Sequence, residues 1–124
     1  MKTKIQNAKI FSGKGEVYVD TDILFDENGI LGIGKTLEEA DVTVDGTGKS
    51  VLPGFIDCHT HPASLTTEDE ITVSYKTYKG IMDLLSSGIT TTRTVGTRYG
   101  ADVILRNMIN EGMLEGPRIK AAGE

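Results

Sequence analysis

From residue 51 onward the chain alternates between two hydrophobic periods, and this alternation constrains the fold more than any other feature. Val51 to Cys58 is a compact apolar run opening with Pro53-Gly54, consistent with a strand buried on both faces. Residues 62–70 are polar and loop-like. Residues 71–87 place Ile71, Tyr75, Tyr78, Met82 and Leu85 on one helical face, with Ile81 and Leu84 beside them and Gly88 at the stop position. Ile89 to Val95 is rich in β-branched residues and reads as a strand. Residues 101–111 form a second expected helix, with Ala101, Ile104, Leu105 and Met108 inward and Gly112 or Gly116 ending it. Pro117 to Ala122 opens a third strand. The order β-α-β-α-β specifies a parallel sheet crossed by helices, an α/β fold.

The first 48 residues have a different character. Residues 3–10, 16–25, 30–34 and 41–45 read as strands, the last alternating like a half-buried one. Asn28-Gly29 marks a hairpin between the second and third. Residues 36–40 are expected to form a short helical turn. The whole reads as a β meander with short loops, and the change near Gly48 to Leu52 divides the chain into residues 1–50 and 51–124.

The formal net charge of −5 argues against a general binder of nucleic acid or anionic membrane. A single cysteine, Cys58, excludes an internal disulfide and suits a reducing compartment. It reads as a buried structural thiol. No apolar stretch approaches the ~20 residues needed to span a bilayer. The charged start, Met1 to Asn7, has no apolar segment behind it, so no secretory leader is expected, and the cytoplasm is the expected location.

Chemistry concentrates in Asp57-Cys58-His59-Thr60-His61, which holds both histidines of the chain. Residues i and i+2 of a strand point to one side, so two neutral imidazoles can converge on one metal ion. The plainer alternative is a surface or packed pair without metal. Two ligands do not complete a catalytic zinc site, which normally has three and an open position. Asp57 can support the site or be a solvated strand-end carboxylate. Arg93 can hold a substrate carboxylate or a neighbouring acidic side chain, or form a structural ion pair.

A rival pattern is present. Gly29 to Thr36 matches Gly-x₄-Gly-Lys-Thr letter for letter, which would put Lys35 on nucleotide phosphates and Thr36 on magnesium. A true phosphate loop follows a strand and opens a full helix. Here Gly29 falls in a hairpin turn and few residues remain before the next strand, so a hairpin is expected instead of an NTPase.

Leu-Pro-Gly-Phe-Ile-Asp-Cys-His-Thr-His, ending at His61, resembles the first-barrel-strand motif of the amidohydrolase superfamily. Asp22 to Gly34 is similar to the hairpin of the small β-sandwich that precedes the barrel in these enzymes. Gly88 to Arg93 resembles the second barrel strand. Leu105 to Gly112 and Gly116 to Arg118 resemble the second helix and third strand of the imidazolonepropionase-like and Xaa-Pro-dipeptidase-like branch. That branch often has Arg-Asp where this chain has Arg93-Thr94. The resemblance implies part of a β-sandwich followed by the first β-α-β-α-β of a TIM-type (β/α)₈ barrel, truncated, since a barrel takes roughly 250 residues. It implies one or two divalent metals, usually zinc, with His59 and His61 as ligands. The implied reaction is hydrolysis of a C–N bond in a small amide, cyclic amide or dipeptide. The family's remaining ligands and general base would lie on later strands, so no catalytic residue is expected within these 124 residues and the piece alone should be inactive. The alternative is a non-catalytic binding or structural module with a vestigial His-x-His. Three strands of a barrel leave bare edges, so self-association, or partial disorder around residues 62–70 and the C-terminus, is expected.

Overall fold

A computed structural model describes residues 1–63 and 68–124, which fall into two units, Met1–Pro53 and Gly54–Glu124. The first contains β1 (Thr3–Phe11), β2 (Val17–Asp26), β3 (Gly29–Ile33), β4 (Val42–Asp45) and β5 (Ser50–Val51) in one five-stranded sheet. The second contains β6 (Phe55–Thr60), α1 (Glu70–Ser86), β7 (Ile89–Thr94), a 3₁₀ turn (Arg98–Gly100), α2 (Ala101–Asn110) and β8 (Arg118–Lys120). Mixed α/β structure is what the alternation of periods predicts. No helix among the described residues is long and apolar enough to cross a membrane.

In the first unit β1, β2 and β3 run antiparallel, whereas β4 and β5 both lie parallel to β1. The expected simple meander is therefore corrected: β3 already occupies one edge of β2, and the chain crosses back to the free edge of β1. The crossing segment is not a helical turn. Asp41 and Val42 both donate their N–H to the Lys2 carbonyl, and Lys2 Nζ donates to Glu38 at 2.7 Å, so the end of the segment is fastened beside the start of β1. A five-residue helix would fix its backbone for almost no hydrogen bonds in return. All four residues of β4 are exposed, not half-buried, because β4 sits at the sheet edge. The core of this unit is Ala8, Ile10 and Ile23, with Ile5 and Val51 against it.

The β2–β3 turn removes the phosphate-loop reading. Asp26 Oδ1 accepts the N–H groups of Asn28 and Gly29, and Gly29 takes φ +143° as it opens β3. The next four residues are strand, and no helix follows before β4. Lys35 Nζ donates instead to Asn7 Oδ1 at 2.8 Å and to Asp22 Oδ1 at 3.3 Å. Asn7 sits at φ +57° where the β1–β2 register shifts, and Asp22 takes the N–H that this irregularity removes from the ladder. That backbone hydrogen bond holds the Asp22 carboxyl below its ordinary pKa, with Lys35 assisting.

In the second unit all three strands are parallel in the order β6-β7-β8. Ile81, Leu105 and Ile119 join α1, α2 and β8 in one apolar cluster. The buried face of α1 is Val73, Thr77 and Ile81, a stripe at i, i+4, i+8. The expected face is therefore rotated: Ile71 is 70% and Tyr75 74% exposed. In α2 Ala101 and Leu105 are buried as expected, but Ile104 is exposed and Asp102 is fully buried in its place. The strand expected at 51–58 is broken by Pro53 into β5 and β6, which belong to different sheets. Phe55 and Ile56 are 57% and 67% exposed, not buried, because β6 is an edge strand with one described neighbour. Residues 64–67 lie outside the described residues, and with them the middle of the loop expected over 62–70.

Asp102 joins the strand ends. It accepts hydrogen bonds from Thr94 Oγ1 at the end of β7 (2.5 Å), Thr97 Oγ1 (2.8 Å), the Val103 N–H (2.8 Å) and the Gly123 N–H beyond β8 (3.2 Å). Burial pushes its pKa up, but these donors together outweigh burial and hold the carboxyl below its ordinary value. A depressed folded pKa contributes stability above the unfolded pKa of about 3.9, lost as pH falls through the lower folded value. Asp102→Asn is expected to flatten the acid limb of stability below about pH 4, and Asp102→Ala to cost about 2 kcal/mol or more at pH 7 by stranding buried donors. Urea midpoints across pH 2–7 check both.

Candidate metal centre

Gly54 starts β6 against β7: a Cβ there would lie 2.2 Å from Thr90 Oγ1, so only glycine admits this approach. At the other end Thr60 is buried and fastens β6 to β7 twice. Its Oγ1 shares a 2.7 Å hydrogen bond with Thr92 Oγ1 and donates to the Arg93 carbonyl at 3.1 Å. The Thr60 carbonyl accepts from the Val95 N–H. Between these fixed points the register is irregular, with Asp57 opposite Thr92 and Thr60 opposite Thr94. Asp57 Oδ1 takes the His59 N–H at 3.0 Å and so satisfies the donor that the irregularity frees.

This arrangement brings the two imidazoles together at the C-terminal end of β6. Their ring centres are 5.5 Å apart, with an interplanar angle of 67°. Two rings bound through nitrogen to one tetrahedral ion at ~2.0–2.1 Å have centres roughly 5 Å apart, so the pair is compatible with a shared divalent metal. Among the described residues no group of three or more His, Cys, Asp or Glu side chains could hold a metal ion. Two histidines by themselves would make an incomplete ligand set. A cavity of about 340 Å³ runs along this edge of β6, lined by Asp57, His59, His61 and Pro62 and faced by Gly80 and Leu84 of α1.

The other sequence candidates fall as follows. Asp57 Oδ1 accepts the His59 N–H at 3.0 Å, which ties its carboxylate to the backbone of the histidine segment. Cys58 is exposed, which corrects the buried thiol expected: the β6 edge has no described cover. Arg93 lies outside the histidine cavity. It lines a separate one of about 620 Å³ with Arg106, Arg118 and Lys120, and it is in no ion pair within 4 Å among the described residues.

Sequence reasoning overlooked Asp69 and Gly80 as well as Asp102. Asp69 caps α1, with Oδ1 accepting the Thr72 N–H at 3.0 Å and Oδ2 the Thr72 hydroxyl at 2.7 Å. Gly80 lies mid-helix, where a Cβ would stand 2.0 Å from the Pro62 carbonyl oxygen. Its signal was available, since glycine inside a helical run costs ~1 kcal/mol and so marks a close approach.

The Amidohydrolase family model matches residues 50–124. The chain belongs to the amidohydrolase family. It is 38% identical over 74 residues to a dihydroorotase of Thermoanaerobacter sp. (strain X514), covering 59% of this chain and 17% of that protein. It is 45% identical over 56 residues to a Dictyostelium discoideum protein assigned as an imidazolonepropionase, covering 38% of this chain and 13% of that protein. Among solved structures, a Xaa-Pro dipeptidase with bound methionine in its active site superposes with a TM-score of 0.84 at 32% identity, over 100% of this chain and 34% of that one. The chain therefore spans under a fifth of these curated relatives and about a third of the solved dipeptidase.

Gly80→Ala tests the role of the close approach. Helix propensity alone would gain ~1 kcal/mol, but the clash with the Pro62 backbone must displace either α1 or the segment carrying His61. The expected outcome is a lower urea midpoint together with a changed His61 imidazole resonance by NMR.

Proposed function

We propose that these 124 residues are the opening part of a metal-dependent amidohydrolase that hydrolyses C–N bonds, with His59 and His61 supplying two ligands of its metal. The observation that carries this reading is the imidazole pair, 5.5 Å apart at the C-terminal end of a parallel strand, inside the segment that matches the family. The C-terminal ends of parallel strands are where barrel enzymes build their active sites. The first unit is read as part of the small β-sandwich and the second as the first β-α-β-α-β of a TIM-type barrel.

A bound divalent metal, zinc being the ion suited to two imidazoles, would lower the pKa of a water and polarise the scissile carbonyl. The chain's own contribution is positional. Asp57 fixes the His59 backbone, Thr60 fixes the strand end between the two rings, and Gly80 lets α1 close behind Pro62. The substrate class is a small amide, cyclic amide or dipeptide. The family membership, the dihydroorotase-like sequence match and the dipeptidase-like superposition support it. With two ligands and no later-strand base, the 124 residues alone should not turn over substrate. The outer edges of β6 and β8 are unpaired among the described residues, which supports self-association of the isolated chain.

Titration of the chain with Zn²⁺ or Co²⁺ is the test. Saturable binding is expected to weaken about tenfold or more in His59→Ala and again in His61→Ala, with far-UV circular dichroism unchanged. Equal affinity in wild type and the double variant would overturn the assignment.

A further inference from the structure

The connection that follows β7 holds a tyrosine in a backbone conformation its side chain disfavours. Tyr99 lies at φ 61° and ψ 15°, and Gly100 repeats the left-handed turn at φ 60° and ψ 28°. Glycine takes this conformation freely, whereas a Cβ crowds the following carbonyl oxygen, so a bulky aromatic residue there is an outlier. Among the described residues of this unit, Tyr99 is the only non-glycine residue with positive φ. Such strain persists where surrounding contacts over-determine it, and it gathers at functional positions. We propose that Tyr99 is a positioning residue of the histidine pair: it carries its hydroxyl to the Glu68 carbonyl, which pins the start of α1 and, through the contact of Gly80 with Pro62, sets the orientation of His61. The proposal rests on the metal-centre reading for the ion that His61 would bind.

Residues 95–100 leave β7 at the end of the sheet where the histidines lie. The Val95 N–H donates at 3.1 Å to the carbonyl of Thr60, the residue between His59 and His61. Thr97 is fastened on two sides, its N–H to the Gly123 carbonyl at 3.1 Å and its Oγ1 to Asp102 Oδ1 at 2.8 Å. The Gly100 N–H closes the turn on the Thr97 carbonyl. These bonds hold the backbone on both sides of Tyr99, and its side chain crosses toward α1. Tyr99 Oη donates to the Glu68 carbonyl at 3.3 Å, 31 residues earlier in the chain. The Arg98 guanidinium stands 5.1 Å from the ring centre and steadies the ring.

Glu68 is joined closely to α1. Its carboxylate pairs with Lys76 farther along the helix, and its neighbour Asp69 caps the first turn by accepting the Thr72 N–H at 3.0 Å. A displacement of the Glu68 carbonyl therefore carries α1 with it. At Gly80 the same helix meets Pro62, the residue after His61, so closely that a Cβ would stand 2.0 Å from the Pro62 carbonyl oxygen. The helix thus bears directly on the chain that carries His61. A glycine at position 99 would relieve the strain but could not reach Glu68.

The test is histidine-ring NMR on the isotope-labelled, metal-free chain, followed by Co²⁺ titration. Tyr99→Phe keeps the ring, the Arg98 contact and the backbone strain, and removes only the hydroxyl. It is expected to shift the His61 ring resonances and to weaken Co²⁺ binding about threefold, the scale of one lost hydrogen bond. Tyr99→Gly is expected to give the same His61 shift with a higher urea midpoint than Tyr99→Phe, because it also releases the strain. Tyr75→Phe, which alters a tyrosine 74% exposed on α1, should change neither reading. Unchanged His61 resonances and Co²⁺ affinity in Tyr99→Phe would overturn the proposal. So would a shift confined to the amides of Glu68 to Thr72, which would make the hydroxyl a helix-end contact alone, or a midpoint for Tyr99→Gly below that of Tyr99→Phe. A wild-type chain that binds no Co²⁺ would defeat the metal-centre reading separately, and the metal-free His61 shift would still decide the role of Tyr99.

Discussion

The second unit depends on one line of buried polar contacts across its strand ends. Thr60 bonds Thr92, Thr94 bonds Asp102, and Asp102 gathers Thr97 and Gly123. Each of these threonines and Asp102 is less than a tenth exposed, so every hydroxyl left without a partner would carry its full desolvation cost. No described buried side-chain N or O lacks a partner. The line therefore fixes the relative heights of β6, β7 and β8. Those heights set which side chains stand side by side at the C-terminal ends.

Glycine provides the complementary constraint at close approaches. Gly54 and Gly80 stand where a methyl group would overlap Thr90 and the Pro62 carbonyl. One brings β6 against β7, and the other brings α1 against the residue after His61. The histidines thus lie between a hydrogen-bonded strand end and a helix held close, which is how a pair of ordinary side chains becomes a pair at defined separation.

Most elements were legible because their signals are local. The Asn28-Gly29 turn, the β-branched run before Val95 and Gly88 after α1 each determine backbone conformation within a few residues. The helix faces were not. Hydrophobicity nominated Ile71, Tyr75 and Ile104, but the packed faces are Val73-Thr77-Ile81 and Ala101-Asp102-Leu105. Buried threonine and aspartate are polar by composition, and only their partners on other elements make burial favourable. The same gap explains why Asp102 was missed and Cys58 misplaced, since exposure of an edge strand depends on which strand lies next to it.

The amino-acid sequence by itself determined the order of β1 to β4 and of α1, β7, α2 and β8, the β-rich first part, the exclusion of a phosphate loop by its short spacing, and the His59/His61 pair. These follow from periodicity, turn chemistry and spacing along the chain. Tertiary structure alone decided the parallel return of β4, the irregular register that frees the His59 N–H for Asp57, and the reach of Tyr99 to Glu68. Tyr99 and Glu68 are distant in sequence, and their adjacency comes from the parallel register of β6 and β7, which is set by hydrogen bonds between segments and not by any one segment's residues.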